Sequence, residues 1–290
     1  MSGKIGKTRQ RPKQEEVFDP EVGRARGMLR RGFPGDLRHV RRAPPRDLRP
    51  WIAHYWMIRW DLRGCAPQRV ENLPHPNVHF IVEEDGAVVS GVQRRKFSRV
   101  IDGCSQVFGI KFRPGGFRPL LGKAVSTIAD RTVPAERIFG PEAGRLCLMI
   151  LAASRESDKM KAATAFLRRH LPKPDPNVSL ADQLVNCILH EVEIKTVDDL
   201  VERAGMGRRS LQRLFSEYVG ASPKWVIRRY RLHEVMERLN SGAALDWAQL
   251  AAELGYFDQA HLINDFKAIV GYSPAQYKKL AHASLQRIDN

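Results

Sequence analysis

Between Arg208 and Arg231 the chain carries seven basic residues, Arg208, Arg209, Arg213, Lys224, Arg228, Arg229 and Arg231, against one acid, Glu217. A local run of cations like this has the chemistry of phosphate contact, in which Lys and Arg displace the counterions condensed on a polyanion. Three of the side chains in or beside this run also suit base edges. Arg forks onto guanine O6 and N7, and Gln onto adenine N6 and N7, so Arg209, Gln212 and Arg213 are candidate readers.

Other chemistry-bearing residues are sparser. His75 and His79 are four apart, which on a strand puts both on one face. With Glu71 or Glu83 they would make a metal site. Pro76 interrupts regular strand geometry there, and only two imidazoles are in view, so no metal or cofactor is assigned. Cys65, Cys104, Cys147 and Cys187 are widely spaced and form no C-x-x-C pair. Buried free thiols in a reducing cytosol are expected. Their isolation also speaks against an activated methyl-accepting cysteine. Trp51, Tyr55 and Trp56 are expected to fill a core rather than line a ligand pocket. Lys111 and Arg113 alternate with apolar neighbours and face either a ligand or water.

The net charge of +16 is poor evidence for a polyanion partner. Residues 1–49 hold 14 Lys/Arg and 6 Asp/Glu, whereas residues 181–290 hold 14 of each. Placement, not total, carries the inference. No run of eighteen apolar residues is present, so no transmembrane helix and no membrane partner are expected. Met1–Gln14 is basic without an apolar stretch behind it, unlike a secretory signal.

These side chains need elements to position them. Residues 1–43, rich in Arg, Gly and Pro, are expected to form a basic disordered tail; Met28 is an alternative start. Residues 44–140 change texture. Apolar runs at Trp51–Trp60, Val78–Val82, Ala87–Val89 and Val107–Phe112 are punctuated by Gly, Pro and charge, which predicts a β-rich domain with a hairpin at Asp85-Gly86. Residues 141–180 predict two connecting helices, Glu142–Ala153 and Asp158–His170, then a linker with three prolines in five residues from Pro172 to Pro176.

Residues 181–290 contain a repeat. Leu211 aligns with Leu262, Phe215 with Phe266, and Gly220-Ala221-Ser222-Pro223 with Gly271-Tyr272-Ser273-Pro274. Each copy parses as helix, Gly turn, helix, the pattern of a helix-turn-helix unit. In the first, Thr196 caps Val197–Ala204, Gly205-Met206-Gly207 forms the turn, and Arg208–Val219 is the second helix. Leu211, Leu214, Phe215 and Tyr218 follow the i, i+3, i+4, i+7 spacing of a buried stripe. Arg209, Gln212, Arg213 and Ser216 follow the same spacing on the outward face. In the second, Leu262, Phe266 and Ile269 are the stripe, Gln259, Ile263, Asn264 and Lys267 point outward, Asp258 stands ready to cap, and Asp265 lies to the side. Pro223–Leu239 is expected to be one helix of about 25 Å. Such a rod suits two reading helices about one DNA turn, roughly 34 Å, apart.

Here the text becomes specific. Arg208-Arg209-Ser210-Leu211-Gln212-Arg213-Leu214-Phe215, then Gly220-Ala221-Ser222-Pro223, Leu250-Ala251-Ala252-Glu253-Leu254-Gly255-Tyr256, Asp258-Gln259-Ala260-His261-Leu262 and Gly271-Tyr272-Ser273-Pro274 resemble the DNA-binding domain of the AraC/XylS family of transcription regulators. The resemblance covers about residues 181–283. It implies an α+β chain: a β-rich N-terminal domain, sandwich or cupin-like barrel, followed by an all-α domain with two helix-turn-helix units. It implies base reading by Arg209, Gln212 and Arg213 in the first unit and by Gln259, Ile263 and Asn264 in the second. Asn264 stands where the family often has Arg, so the second unit is expected to read fewer bases. Arg208, Lys224, Arg228 and Lys267 are the expected phosphate contacts. Trp51–Trp56, His75–Phe80 and Gly109–Phe117 are similar to the sensor-like domains of one subgroup of that family.

The expectation is therefore a non-enzymatic, sequence-specific regulator in a bacterial cytoplasm, associated with the nucleoid. Double-stranded DNA is its partner, with a small-molecule effector and a second copy of the chain as further candidates. A metal-dependent cupin-type enzyme fused to a DNA-binding module is the alternative, and it needs more ligands than His75 and His79. A nonspecific binder acting through the basic tail would be indifferent to sequence and steeply salt-dependent.

Overall fold

The computed structural model describes residues 13–23, 33–241 and 245–279. The question of a start at Met28 falls outside them.

Strand β1 is Gln14–Phe18, β2 Asp36–Arg42, β3 Ile52–Asp61, β4 Gln68–Asn72, β5 His79–Glu83, β6 Gly86–Ser90, β7 Phe97–Ile101, β8 Cys104–Phe112 and β9 Thr132–Pro134. Seven of them form one sheet in the order β1-β2-β3-β8-β5-β6-β9, and β4 pairs with β7 in a second, two-stranded sheet. The β1–β2 pair is parallel and the other ladders are antiparallel. The predicted hairpin is present, with its turn at Glu84-Asp85 and Gly86 opening β6 at φ 134°.

The period of two assigns the faces. Tyr55 and Met57 of β3, Phe108 and Ile110 of β8, and Phe80 and Val82 of β5 are buried on one side. There they meet α2 (Glu136–Phe139), α3 (Pro141–Ala152) and α4 (Glu156–Arg169) through Phe139, Leu146, Ile150 and Phe166. Phe139 stacks edge-on against Phe80 at 5.8 Å and Phe166 at 5.2 Å, and Tyr55 and Thr164 share a hydroxyl hydrogen bond of 2.9 Å. The opposite face is apolar at one end, where Trp60 and Val107 meet Val70 of β4 and Ile101 of β7, and polar at the other. The expected core role of Tyr55 is met, whereas Trp51 and Trp56 are only partly buried. The short helix α1 (Arg118–Leu121) follows the bend at Gly115-Gly116. An alanine Cβ at Gly116 would lie 2.3 Å from the Trp51 carbonyl, so the bend needs glycine.

Over residues 13–23 and 33–43 the expectation of a disordered tail is corrected by β1 and β2; the rest of that expected tail lies outside the described residues. Seven residues reading Asp-Leu-Arg-His-Val-Arg-Arg look like a solvated run, yet each charge has a local answer. Arg38 pairs with Glu15 and Glu156, Arg42 pairs with Asp19, and Arg41 donates to the Gly23 carbonyl. Val40 enters the core at 1% exposure. The ladder to β3 and these pairs replace the apolar density that the segment lacks.

The remaining helices are α5 (Pro176–His190), α6 (Val197–Ala204), α7 (Arg208–Leu214), α8 (Pro223–Asn240), α9 (Trp247–Glu253) and α10 (Gln259–Val270). The proline-rich linker is Leu171–Asp175, but it is not a free tether. Asp175 caps α5 through the Asn177 amide and accepts the Tyr218 hydroxyl at 2.6 Å. One hydrophobic core runs without a break from Val40 to Ile227, so the first helix-turn-helix unit packs with the sheet domain. A second core, Leu232 to Tyr277 together with Leu73, belongs to the second unit. Helix α8 is the spine of both: Val226 and Ile227 serve the first core, and Leu232, Val235 and Leu239 the second. Among the described residues no helix is long and apolar enough to cross a membrane.

Candidate nucleic-acid interface

The first unit is built as its residues dictate. Thr196 Oγ1 accepts the Asp199 amide at 3.1 Å, while Asp199 accepts the Thr196 amide at 2.7 Å, a reciprocal capping box. Burial, the largest single influence on the Asp199 carboxyl, pushes its pKa up, but the Lys195 and Thr196 amides and the Thr196 hydroxyl outweigh it and hold the carboxyl below its ordinary range. Gly205 ends α6 at φ 61°. Thr196→Ala is expected to cost about 1 kcal/mol, the ordinary worth of an N-cap, read as a lower midpoint in thermal unfolding.

In α7, Leu211 and Leu214 are buried, as are Phe215 and Tyr218 in the π-helical turn Phe215–Val219 that follows. Arg209, Gln212 and Arg213 are exposed on the opposite face. Ser216 is exposed too, but its hydroxyl bonds Ser126 of the sheet domain at 3.1 Å. The outward face is thus anchored at its C-terminal end. Gly220, at φ 85°, closes the turn against Val125, where a Cβ would approach to 2.8 Å.

In the second unit Asp258 caps α10 by accepting the His261 amide at 2.7 Å. Leu262, Phe266 and Ile269 are buried; Gln259, Asn264 and Lys267 are exposed; Ile263 is partly exposed. Two exposed helix faces, α7 and α10, therefore carry all six side chains expected to read bases.

The basic patch divides. Arg208, Arg209, Arg213 and Lys224 are exposed. Arg208 pairs with exposed Asp198, a surface pair that a phosphate can displace. Arg228, expected on phosphate, is instead committed to Asp265: its Nε donates to Oδ2 at 2.5 Å and its Nη2 meets Oδ1. Asp265, expected to lie to the side, is 5% exposed. Arg229 is 2% exposed and donates to the Pro74 carbonyl at 2.7 Å and to His75 Nδ1 at 3.1 Å. Arg231 lies over the Tyr256 ring with its Nε and Nη2 buried. Burial lowers the pKa of Arg231 and raises that of Tyr256. Sequence reasoning had one signal for each inward side chain. Arg229 lies three residues from both Val226 and Leu232, and Asp265 three residues after Leu262.

Polar contacts also tie the two units to the sheet domain. The Trp225 indole donates to the Arg94 carbonyl at 3.3 Å, and the Tyr272 hydroxyl donates to Glu71 at 2.8 Å. Glu71 also accepts from Lys96 at 2.8 Å. His75 and His79 diverge into separate contacts, with Arg229 and with the Trp56 indole at 3.2 Å. Among the described residues no group of three or more His, Cys, Asp or Glu is placed to hold a metal ion. The four cysteines are free, but only Cys147 is buried, and Cys104 is exposed at the start of β8.

A β-sheet domain followed by paired helix-turn-helix units, with polar faces outward, defines a two-unit helix-turn-helix protein. Residues 200–280 match the family model described as a helix-turn-helix domain, and residues 40–134 match a domain of unknown function, DUF6597. The chain is 33% identical over 107 residues to the F1 operon positive regulatory protein of Yersinia pestis, covering 35% of each. It is 32% identical over 123 residues to a putative AraC-like transcription regulator of Streptomyces lividans, covering 39% of this chain and 40% of that one. A solved AraC-type regulator from Chromobacterium violaceum is 22% identical, with 37% of this chain and 92% of that chain covered and a TM-score of 0.31. The chain spans less than half the length of the curated relatives it matches. Residues 200–280 are a helix-turn-helix domain, and the C-terminal part of the chain is similar to AraC-like transcription regulators.

Proposed function

We propose that the protein is a sequence-specific DNA-binding transcription regulator that responds to a small-molecule effector through its N-terminal domain. The observation that carries this is the exposure of Arg209, Gln212 and Arg213 on one face of α7, opposite a fully buried stripe. On this reading α7 and α10 enter the major groove of double-stranded DNA. Arg209, Gln212 and Arg213 read the first half-site; Gln259, Ile263 and Asn264 read the second, with Ile263 against a thymine methyl. Arg208, Lys224 and Lys267 contact phosphates. Arg228 positions α10 rather than touching DNA. The second unit, with one exposed cation on α10, supplies fewer base contacts. The protein works without a catalytic step, in a bacterial cytoplasm on the nucleoid, alone or as a homodimer.

The test is selection of bound fragments from random duplex DNA by the full chain, followed by a mobility shift. One enriched site, bound at least 10³-fold more tightly than random duplex at physiological salt, is expected. Equal affinity for all sequences overturns the reading.

A further inference from the structure

The turns of the two helix-turn-helix units differ in length. Gly205 and Gly255 bend the chain at matching points, with φ 61° and 70°. Gly207 and Asp258 stand at the N-caps of α7 and α10. In the first unit one residue, Met206, separates the glycine from the cap; in the second there are two, Tyr256 and Phe257. Met206 packs on the first core. Tyr256 does the same for the second, buried under the Arg231 guanidinium with its ring edge-on to His261 at 5.2 Å. Phe257 is the extra residue, and it has no counterpart in the first unit.

Phe257 is 93% exposed, the most exposed large apolar side chain among the described residues. A single such side chain on a surface needs no explanation by itself; its place in the turn does. It is the N′ residue of α10, from which an apolar side chain ordinarily folds over N4 as a hydrophobic staple. N4 is Leu262, already fully buried by other residues, and the Phe257 ring is left in water. The ring is therefore not a staple. Asp258 is extended, with φ −153° and ψ 175°, so the side chains on either side of it, Phe257 and Gln259, leave the backbone in the same direction. Gln259 is exposed on the outward face of α10, and Ile263 lies one turn further along that face. The second helix of a helix-turn-helix unit meets base edges with its N-terminal residues. Phe257 thus stands at the end of α10 that enters the groove first.

We propose that Phe257 reads a thymine of the second half-site through the C5 methyl group, beside the thymine that Ile263 covers. This rests on the regulator reading above and names how the second unit obtains its specificity. Helix α7 presents two guanidiniums and an amide, which suit guanine and adenine. Helix α10 carries no arginine and one lysine, Lys267, in its last turn. What it offers instead is apolar. Thymine is the one base with a methyl group in the major groove, and Phe is among the side chains that pack on it. Seating the ring there also withdraws from water the apolar surface that the free protein leaves exposed. The extra turn residue gives the less charged unit a contact that the first unit lacks.

The experiment uses the full chain and the duplex site it selects, with each thymine replaced in turn by deoxyuridine. That change removes the methyl group and keeps every hydrogen-bonding group of the base. For the parent chain, replacing the thymine under Phe257 is expected to lower affinity about fourfold, the worth of one buried methyl. Phe257→Ala is expected to bind the selected site roughly three- to tenfold more weakly and to be indifferent to that one replacement. Ile263→Ala is expected to lose sensitivity at a different thymine and to keep it at the first. The melting temperature of Phe257→Ala is expected to match that of the parent, because the ring packs on nothing in the free protein. A fall of more than about 3 °C places the ring in internal packing and overturns the proposal. So does a deoxyuridine profile that is the same for Phe257→Ala and the parent. If in that case Arg213→Ala still weakens the selected site, the regulator reading stands, and Phe257 faces something other than a base, such as a protein partner. If the chain selects no site at all, both readings fall together.

Discussion

Arg213→Ala is expected to lower affinity for the selected site by roughly 10- to 100-fold, about 1–3 kcal/mol, and to relax the base preference at one position. The size follows from geometry. Arg213 is exposed on α7, two turns of buried stripe hold that helix, and no carboxylate competes for its guanidinium in any ion pair among the described residues. Its whole donor set is free to fork onto a guanine. Lys224→Ala is the contrast. On the proposed reading the lysine at the start of α8 contacts phosphate, so its loss should weaken all sequences alike and reduce the salt slope by about 1. A mobility-shift series over salt, on the selected site and on a site changed at one base pair, separates the two. If Arg213→Ala binds with unchanged selectivity, base reading does not pass through this side chain.

What sequence could show followed from local rules. The caps Thr196 and Asp258, the turn at Gly205, and the buried stripe of α7 are decisions made within a few residues, so they are legible without a structure. The six base-reading candidates were legible for the same reason: a helix has two faces, and the apolar stripe assigns one of them. The misses all depend on partners far away in the chain. β2 reads as tail because its arginines are answered by Glu15, Asp19 and Glu156. Seven basic residues read as one patch because linear density hides direction. Arg229 turns towards Pro74, 155 positions away. The continuous core from Val40 to Ile227 was hidden in the same way, since a run of prolines marks a helix end but does not say what packs across it.

The same contrast bears on regulation. The first unit shares the large core of the sheet domain, whereas the second has a smaller core to which the sheet domain adds Leu73 alone. The first is seated by apolar packing, with Ser216 on Ser126 at its edge. The second reaches the sheet domain through Leu73, which enters its core, and through polar contacts, Tyr272 on Glu71 and Lys96 beside the Tyr272 ring at 4.0 Å. The Glu71 carboxylate in this cluster is 4% exposed, so parting it from Tyr272 and Lys96 without rehydration is costly. The second unit is thus seated on the sheet domain by a smaller and more polar contact than the first.

Asp265→Ala is expected to reveal how the second reading helix is aimed. The carboxylate sits at an i+3 position of the α10 stripe, buried, and receives two donors from Arg228 on α8. Removing one partner of a fully buried pair costs about 3–5 kcal/mol; the Arg228 side chain is 34% exposed and regains some hydration, so on the order of 2 kcal/mol is expected here. Chemical denaturation should show that loss in the transition of the second unit. The effect on DNA is the sharper test. Asp265 is an anion close to a polyanion's surface, so charge alone predicts tighter binding when it is removed. If the pair instead aims α10, affinity for the selected site falls about tenfold despite the lost negative charge. A double-mutant cycle with Arg228→Ala completes the argument. Strong coupling in both stability and affinity, with the double variant little worse than either single one, marks the pair as a positioning device. Additive effects, with Arg228→Ala alone lowering the salt slope, return Arg228 to the phosphate backbone where its sequence position first suggested it belonged.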